Sequence, residues 1–126
     1  MLAPDELVLA YITCADAAEA ERIGSGLLEA RLVACVNQIP GLRSRYWWQG
    51  RIAESAEVLL LAKTTRTRQA AVIAEVRKRH SYSTPCVVFV PLVGGDPAFI
   101  AWLHAELRTA VSSVQPAGTT DAPPPE

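Results

Sequence analysis

The sequence predicts a ferredoxin-like α/β sandwich: an antiparallel sheet with helices on one face, a long β-hairpin and an extra C-terminal helix. Three observations predict it. Apolar patterning switches between strand and helix periods in the order strand, helix, strand, strand, helix, strand, helix. Two split β-α-β units with right-handed crossovers make a sandwich of this kind. The chain has 126 residues, half of them hydrophobic and a fifth charged, which fits one domain with its own core. Finally, Tyr46, Trp47 and Trp48 stand before a Gln49-Gly50 turn signal, between two extended runs. Successive strand side chains point to opposite faces, so Tyr46 and Trp48 face one way and Trp47 the other. One two-layer core cannot bury all three. A ligand or a second subunit must cover what remains, and a second subunit is the expectation.

Residues 7–13, LVLAYIT, read as a buried strand. Asp16 is placed to cap the next helix, with Glu19 three residues on in capping-box spacing. That helix is expected to run to about Arg31, with Ala20, Ile23, Leu27 and Ala30 on its apolar stripe. Gly24 and Gly26 weaken it but permit close packing. Residues 32–39 read as a second strand stopped by Pro40-Gly41, after which the chain stays extended to Trp48. It turns at Gln49-Gly50 and returns through residues 52–63, with Val58, Leu60 and Ala62 on one face. Glu57, Leu59, Leu61 and Lys63 share the other face. Thr65 or Thr67 is expected to cap a second helix reaching His80, its inner face formed by Ala70, Ile73, Val76 and Val72. Arg77, Lys78 and Arg79 close its last turn, where cations suit the helix dipole. A loop at 81–85 leads to a strand at 86–91. Asp96-Pro97 then opens a third helix that carries Ile100, Leu103 and Leu107 and fades near Val111. Residues 1–111 are read as a single domain and residues 112–126 as a disordered tail rich in Pro, Ala and Thr.

Composition excludes several classes. Twelve basic residues stand against 13 acidic ones, so no broad nucleic-acid or membrane footprint is expected. The three cysteines, Cys14, Cys35 and Cys86, form no CxxC pair. Asp5 and Glu6 precede the first apolar run where a secretory signal would carry positive charge. No apolar run approaches the ~20 residues that span a bilayer. A reduced, cytoplasmic protein is the expectation.

The chemistry-bearing candidates are few. In the segment HSYSTP, His80 and Tyr82 could ligate a metal, handle a proton or line a pocket, and the plain alternative is that His80 caps helix-end carbonyls. Glu57 and Lys63 share a strand face but lie roughly 20 Å apart at ~3.3 Å per residue. They cannot pair directly and need partners elsewhere. Cys35 reads as core packing, although thiolates also suit Cu(I). No nucleotide-binding, zinc or nucleophile motif is present in the sequence.

Taken together, Ala34-Cys35-Val36-Asn37 with Pro40-Gly41, then Ser44, Tyr46, Trp48 and Gly50, form an ordered set. It continues through Glu57, Lys63-Thr64, His80, Tyr82, Pro85, Pro91 and Trp102. This set, spanning about residues 7–108, resembles the divalent-cation tolerance family, CutA. The resemblance implies a tight homotrimer in which the long hairpin reaches across to neighbours, a shape similar to PII-type signalling proteins. It further implies a role in tolerance to divalent metals, with copper or another divalent metal as ligand. By position it places Glu57, Lys63, His80 and Tyr82 near an inter-subunit cleft, with Trp48 and Trp102 close by. Tyr46, Trp47 and Trp48 become candidates for the trimer interface. This sequence departs from the family at Cys86, where relatives often have Glu, and Phe99 stands for the aromatic common near the third helix start. The candidate metal ligands are His80 with Cys86 or Glu57. The alternative is a small-ligand sensor in which Lys63 and backbone groups hold an anion. An enzyme using His80 with Tyr82 and Glu57 has no nucleophile–base pair or cofactor motif behind it.

Overall fold

A computed structural model describes residues 5–108. The elements follow the expected order: β1 (Leu7–Cys14), α1 (Ala17–Glu29), β2 (Cys35–Trp48), β3 (Arg51–Thr65), α2 (Gln69–Arg79), β4 (Val87–Pro91) and α3 (Pro97–Arg108). The strands form one sheet in the order β2-β3-β1-β4, and every neighbouring pair is antiparallel. This is the ferredoxin-like order. The expected end of the third helix near Val111 and the expected tail at 112–126 lie outside the described residues.

Sequence chemistry accounts for the helix ends. Asp16 caps α1 by accepting the Glu19 N–H at 2.8 Å. Beyond Ala30, Arg31 takes a left-handed φ of 57°, and the Leu32 N–H reaches back to the Leu27 carbonyl. Arg31 N–H bonds the Leu28 carbonyl. These are the two bonds of a Schellman ending, made here without glycine. The motif occupies residues expected to begin β2, so that strand starts at Cys35 rather than at Leu32. Asp96 caps α3 through the Phe99 N–H at 3.0 Å, with Pro97 as the first helical residue.

Pro40-Gly41 does not stop the second strand. The ladder passes from Ile39↔Leu59 to Leu42↔Glu57, so two residues of β2 oppose the single Val58 of β3. That is a bulge. β2 is an edge strand, where the missing proline N–H is tolerated, and Gly41 supplies the positive φ of 85°. At the hairpin tip Gln49 and Gly50 both have positive φ, as a two-residue type I′ turn requires.

The second helix also differs from expectation. A 3-10 turn at Arg66–Arg68 precedes it, and no threonine side chain caps it. Thr65 Oγ1 instead accepts from Arg68. Val72 and Val76 are its buried residues, while Ala70 and Ile73 face outward.

One sheet face carries the main core. Ala10 and Ile12 of β1 with Val58, Leu60 and Ala62 of β3 pack under Ala20, Ile23 and Leu27 of α1 and Val72 and Val76 of α2. The Arg79 side chain of α2 lies over Gly26 of α1, in the space a methyl there would take. On the opposite face α3 covers one end only, burying Leu103 and Leu107 against Leu7 and Cys35. The rest of that face remains open. Ile39, Val88 and Val90 are exposed on it, beside the half-buried Leu9, Tyr11, Leu59 and Leu61. Among the described residues no helix is long and apolar enough to cross a membrane.

Candidate functional site

Beyond the bulge the hairpin arm forms one wall of a cleft of about 720 Å³. The other walls come from Tyr11 and Thr13 of β1 and from the loop between α2 and β4, which supplies Tyr82 and Cys86. Glu57 is buried in this wall, where an unpaired carboxylate would be costly. Tyr82 satisfies it by donating its hydroxyl to Glu57 Oε2 at 3.0 Å. Burial, then the Glu57 carboxylate, pushes the Tyr82 phenol up to about 12, so Tyr82 stays a donor through the physiological range.

The loop that presents Tyr82 is tied down from behind. Tyr82 N–H donates to His80 Nδ1 at 3.0 Å, which leaves Nε2 to carry the proton and donate to the Thr13 carbonyl at 2.7 Å. The His80 side chain is fully buried. Glu19 lies beside it, its two oxygens taking the Ser81 N–H at 2.6 Å and the Ala15 N–H at 2.7 Å. Burial opposes charge on Glu19, but the hydrogen bonds from Ala15 and Ser81 win and hold its carboxyl below the usual range. One glutamate thus joins the start of α1 to the start of the loop.

The sequence candidates separate into two groups. Glu57, Tyr82, Trp48, Tyr46 and Cys86 line the one cleft. Lys63 lies elsewhere, with its Nζ donating to Asn37 Oδ1 at 3.3 Å and sitting 5.7 Å from the Phe99 ring centre. Trp102 of α3 stacks on Phe99 at 5.6 Å, so both it and Lys63 group around that ring. Lys63 and Trp102 are not among the residues lining the Glu57 cleft. His80 stands behind the cleft wall, and both its ring nitrogens are engaged there rather than by helix-end carbonyls. Of the thiols, Cys86 is exposed, whereas Cys14 is buried. Burial, then the charge of Glu19, pushes the Cys14 thiol up to about 12, which makes it a packing residue. At the hairpin end Trp47 is 74% exposed, and Trp48 and Ile52 are exposed with it.

Sequence reasoning missed the part played by Glu19. Its capping-box spacing was visible, but its reach to Ser81 depends on how α1 lies against α2. Arg43 and Arg45, at the cleft mouth, gave no local signal. Both lie near Glu54 on the facing strand, at 3.6 and 3.8 Å.

Fold and site together define a small ferredoxin-like domain with a long hairpin arm, an aromatic cleft against that arm that holds Glu57 with Arg43 and Arg45, and an open apolar sheet face. The family model described as "CutA1 divalent ion tolerance protein" matches residues 8–106, and the chain belongs to that family. It is 39% identical over 103 residues to the divalent-cation tolerance protein CutA of Pectobacterium atrosepticum, covering 82% of this chain and 94% of that one. Among solved structures, CutA1 from Oryza sativa superposes with a TM-score of 0.80 at 31% identity, covering 85% of this chain and 98% of the other. The Archaeoglobus fulgidus protein, described as a periplasmic divalent cation tolerance protein CutA, superposes with a TM-score of 0.78 at 38% identity. That match covers 81% of this chain and 99% of the other.

Proposed function

We propose that the protein serves divalent-cation tolerance as a homotrimer that captures a metal ion, copper foremost, in the hairpin cleft. The observation that carries this reading is a carboxylate and a thiol, Glu57 and Cys86, lining one cleft in a chain of this family. Thiolate selects soft Cu(I), and carboxylate accepts harder divalent ions. His80 contributes indirectly, by holding the loop that carries Tyr82 and Cys86. Among the described residues no three His, Cys, Asp or Glu side chains gather into a ready-made metal cluster. Water or a neighbouring copy therefore completes the coordination shell. The open apolar face and the exposed Trp47 and Trp48 support the trimer, since an apolar patch of that kind marks an interface. Cys14 and Cys86, which form no disulfide, fit a cytoplasmic setting.

Titration calorimetry of Cu(I), Cu(II) and Zn(II) into metal-free protein, with the mass in solution measured on the same sample, tests both halves. Stoichiometric binding by a trimer is expected, abolished by Cys86→Ser and weakened by Glu57→Gln. A trimer that takes up none of the three ions would sink the metal reading.

The size of the cleft favours a second reading, a PII-like small-ligand sensor. A space of about 720 Å³ flanked by Arg43 and Arg45 is far larger than a bare ion needs. A metal-free trimer whose melting temperature rises with a small anionic metabolite would favour it. No shift across a metabolite panel would count against it.

A further inference from the structure

We propose that Cys35 and Lys63 are a redox-sensitive cross-linking pair, in which oxidation by a peroxide joins Sγ covalently to Nζ. This goes beyond the proposed function and does not depend on the cleft. The two residues face each other directly in the β2–β3 register. Lys63 Nζ donates to Cys35 Sγ at 3.6 Å, and its approach is fixed by Asn37 Oδ1 at 3.3 Å and by the Phe99 ring. Cys35 is 6% exposed, in the small core beneath α3. The register and the hydrogen bond together hold the lysine nitrogen against the sulfur, where a sulfenic acid formed at Cys35 meets an amine at once. The other two thiols contrast with it: Cys14 is packed among apolar side chains, and Cys86 is open to solvent.

The chemistry closes with peroxide as the named oxidant. Sγ attacks one peroxide oxygen and the O–O bond breaks; the sulfur becomes a sulfenic acid and the other oxygen leaves as water. Lys63 gives its extra proton to solvent, and the nitrogen lone pair attacks Sγ. The S–O bond breaks, and the departing hydroxide leaves as water with one of the two protons left on nitrogen, giving S–NH. One thiol, one amine and one peroxide thus give an S–N bond and two waters. Two thiols of an added reductant reverse the S–N bond, releasing thiol and amine and forming a disulfide between themselves. The link pins the edge strand β2 to β3 under α3 and removes the charge that Lys63 holds against Phe99.

The experiment treats the full chain with limiting hydrogen peroxide, quenches with catalase and digests with trypsin without reductant. Cleavage after arginine should yield peptide 32–43 joined to peptide 52–66, the latter uncut at Lys63. The joined mass should be the sum of the two peptides less two hydrogens. Dithiothreitol should release both peptides, and Cys35→Ser should abolish the joined species. In Lys63→Arg, which keeps the cation but is a poor nucleophile, Cys35 should advance to unlinked sulfinic acid. Recovery of Cys35 from the unsubstituted protein as unlinked sulfinic acid would overturn the proposal. So would an untouched Cys35 in protein whose Cys86 has been oxidised.

Discussion

Glu19 shows how a single side chain can hold a site that it does not line. Its carboxylate bonds the N–H groups of Ala15 and Ser81 beside the His80 ring, and that ring fixes the backbone of Tyr82. Hydrogen bonds to the charged form hold its folded pKa below the unfolded one. The resulting stability is therefore fully present above the ordinary glutamate range and is lost as pH falls through the lowered folded value. Glu19→Gln should flatten the acid limb of the stability curve and leave the alkaline limb in place. Urea unfolding at acid and neutral pH checks this, and an unchanged acid limb would refute it. The same network makes His80→Ala a poor test of metal ligation. It should loosen the 81–86 loop whether or not a metal binds, seen as faster amide exchange at Tyr82. Protection at Tyr82 equal to that of the parent chain would count against this tethering role. HSYSTP was legible as a place of interest. The buried glutamate behind it was not, because the contact joins residues 62 apart in sequence.

At the scale of elements, periodicity and turn chemistry located every strand and helix, because each has its own local cause. Asp16 and Asp96 are caps, Gln49-Gly50 is a turn, and the stripe of α1 faces the sheet. The errors came where a local signal had two uses. Pro40-Gly41 commonly ends a strand, yet on an edge strand the pair can build a bulge instead. α2 carries too weak a stripe to tell Ile73 from Val72, and only the sheet beneath decides which one faces inward. The bulge also sets the register that puts Leu42 opposite Glu57. A β-branched residue at its positive φ is strained, so Gly41→Val should cost about 1–2 kcal/mol of stability. Chemical denaturation measures the loss. A midpoint equal to that of the parent chain would show that the bulge relaxes freely.

For the whole molecule, the unpaired sheet face matters most. α1 and α2 cover the centre of one face, and α3 shelters only the Leu7 end of the other. Val90→Asp would place a charge on the open strip while leaving the core on the far side intact. We expect this substitution to dissociate the proposed trimer, with light scattering giving a mass near that of one subunit. A full-mass assembly after this substitution would move the interface to another surface. The aromatic excess before Gln49-Gly50 was legible, and the structure leaves Tyr46, Trp47 and Trp48 exposed. The open strip itself was not legible, since Leu59, Leu61, Val88 and Val90 look like ordinary core residues until α3 is seen to stop short of them.

Sheet order has a consequence for synthesis. β1 is made first, but it sits between β3 and β4, with Leu7 paired to Thr65 and Val8 paired to both Thr64 and Pro91. The first strand to leave the ribosome must therefore wait for its last neighbour to be translated before the sheet can close. The β2–β3 arm needs only a tight turn and can zip up while that wait continues. Pulse-labelled amides should be protected in the arm before they are protected in β1, and simultaneous protection would contradict this order. During that interval the nascent chain displays a bare apolar ribbon, which is what chaperones bind.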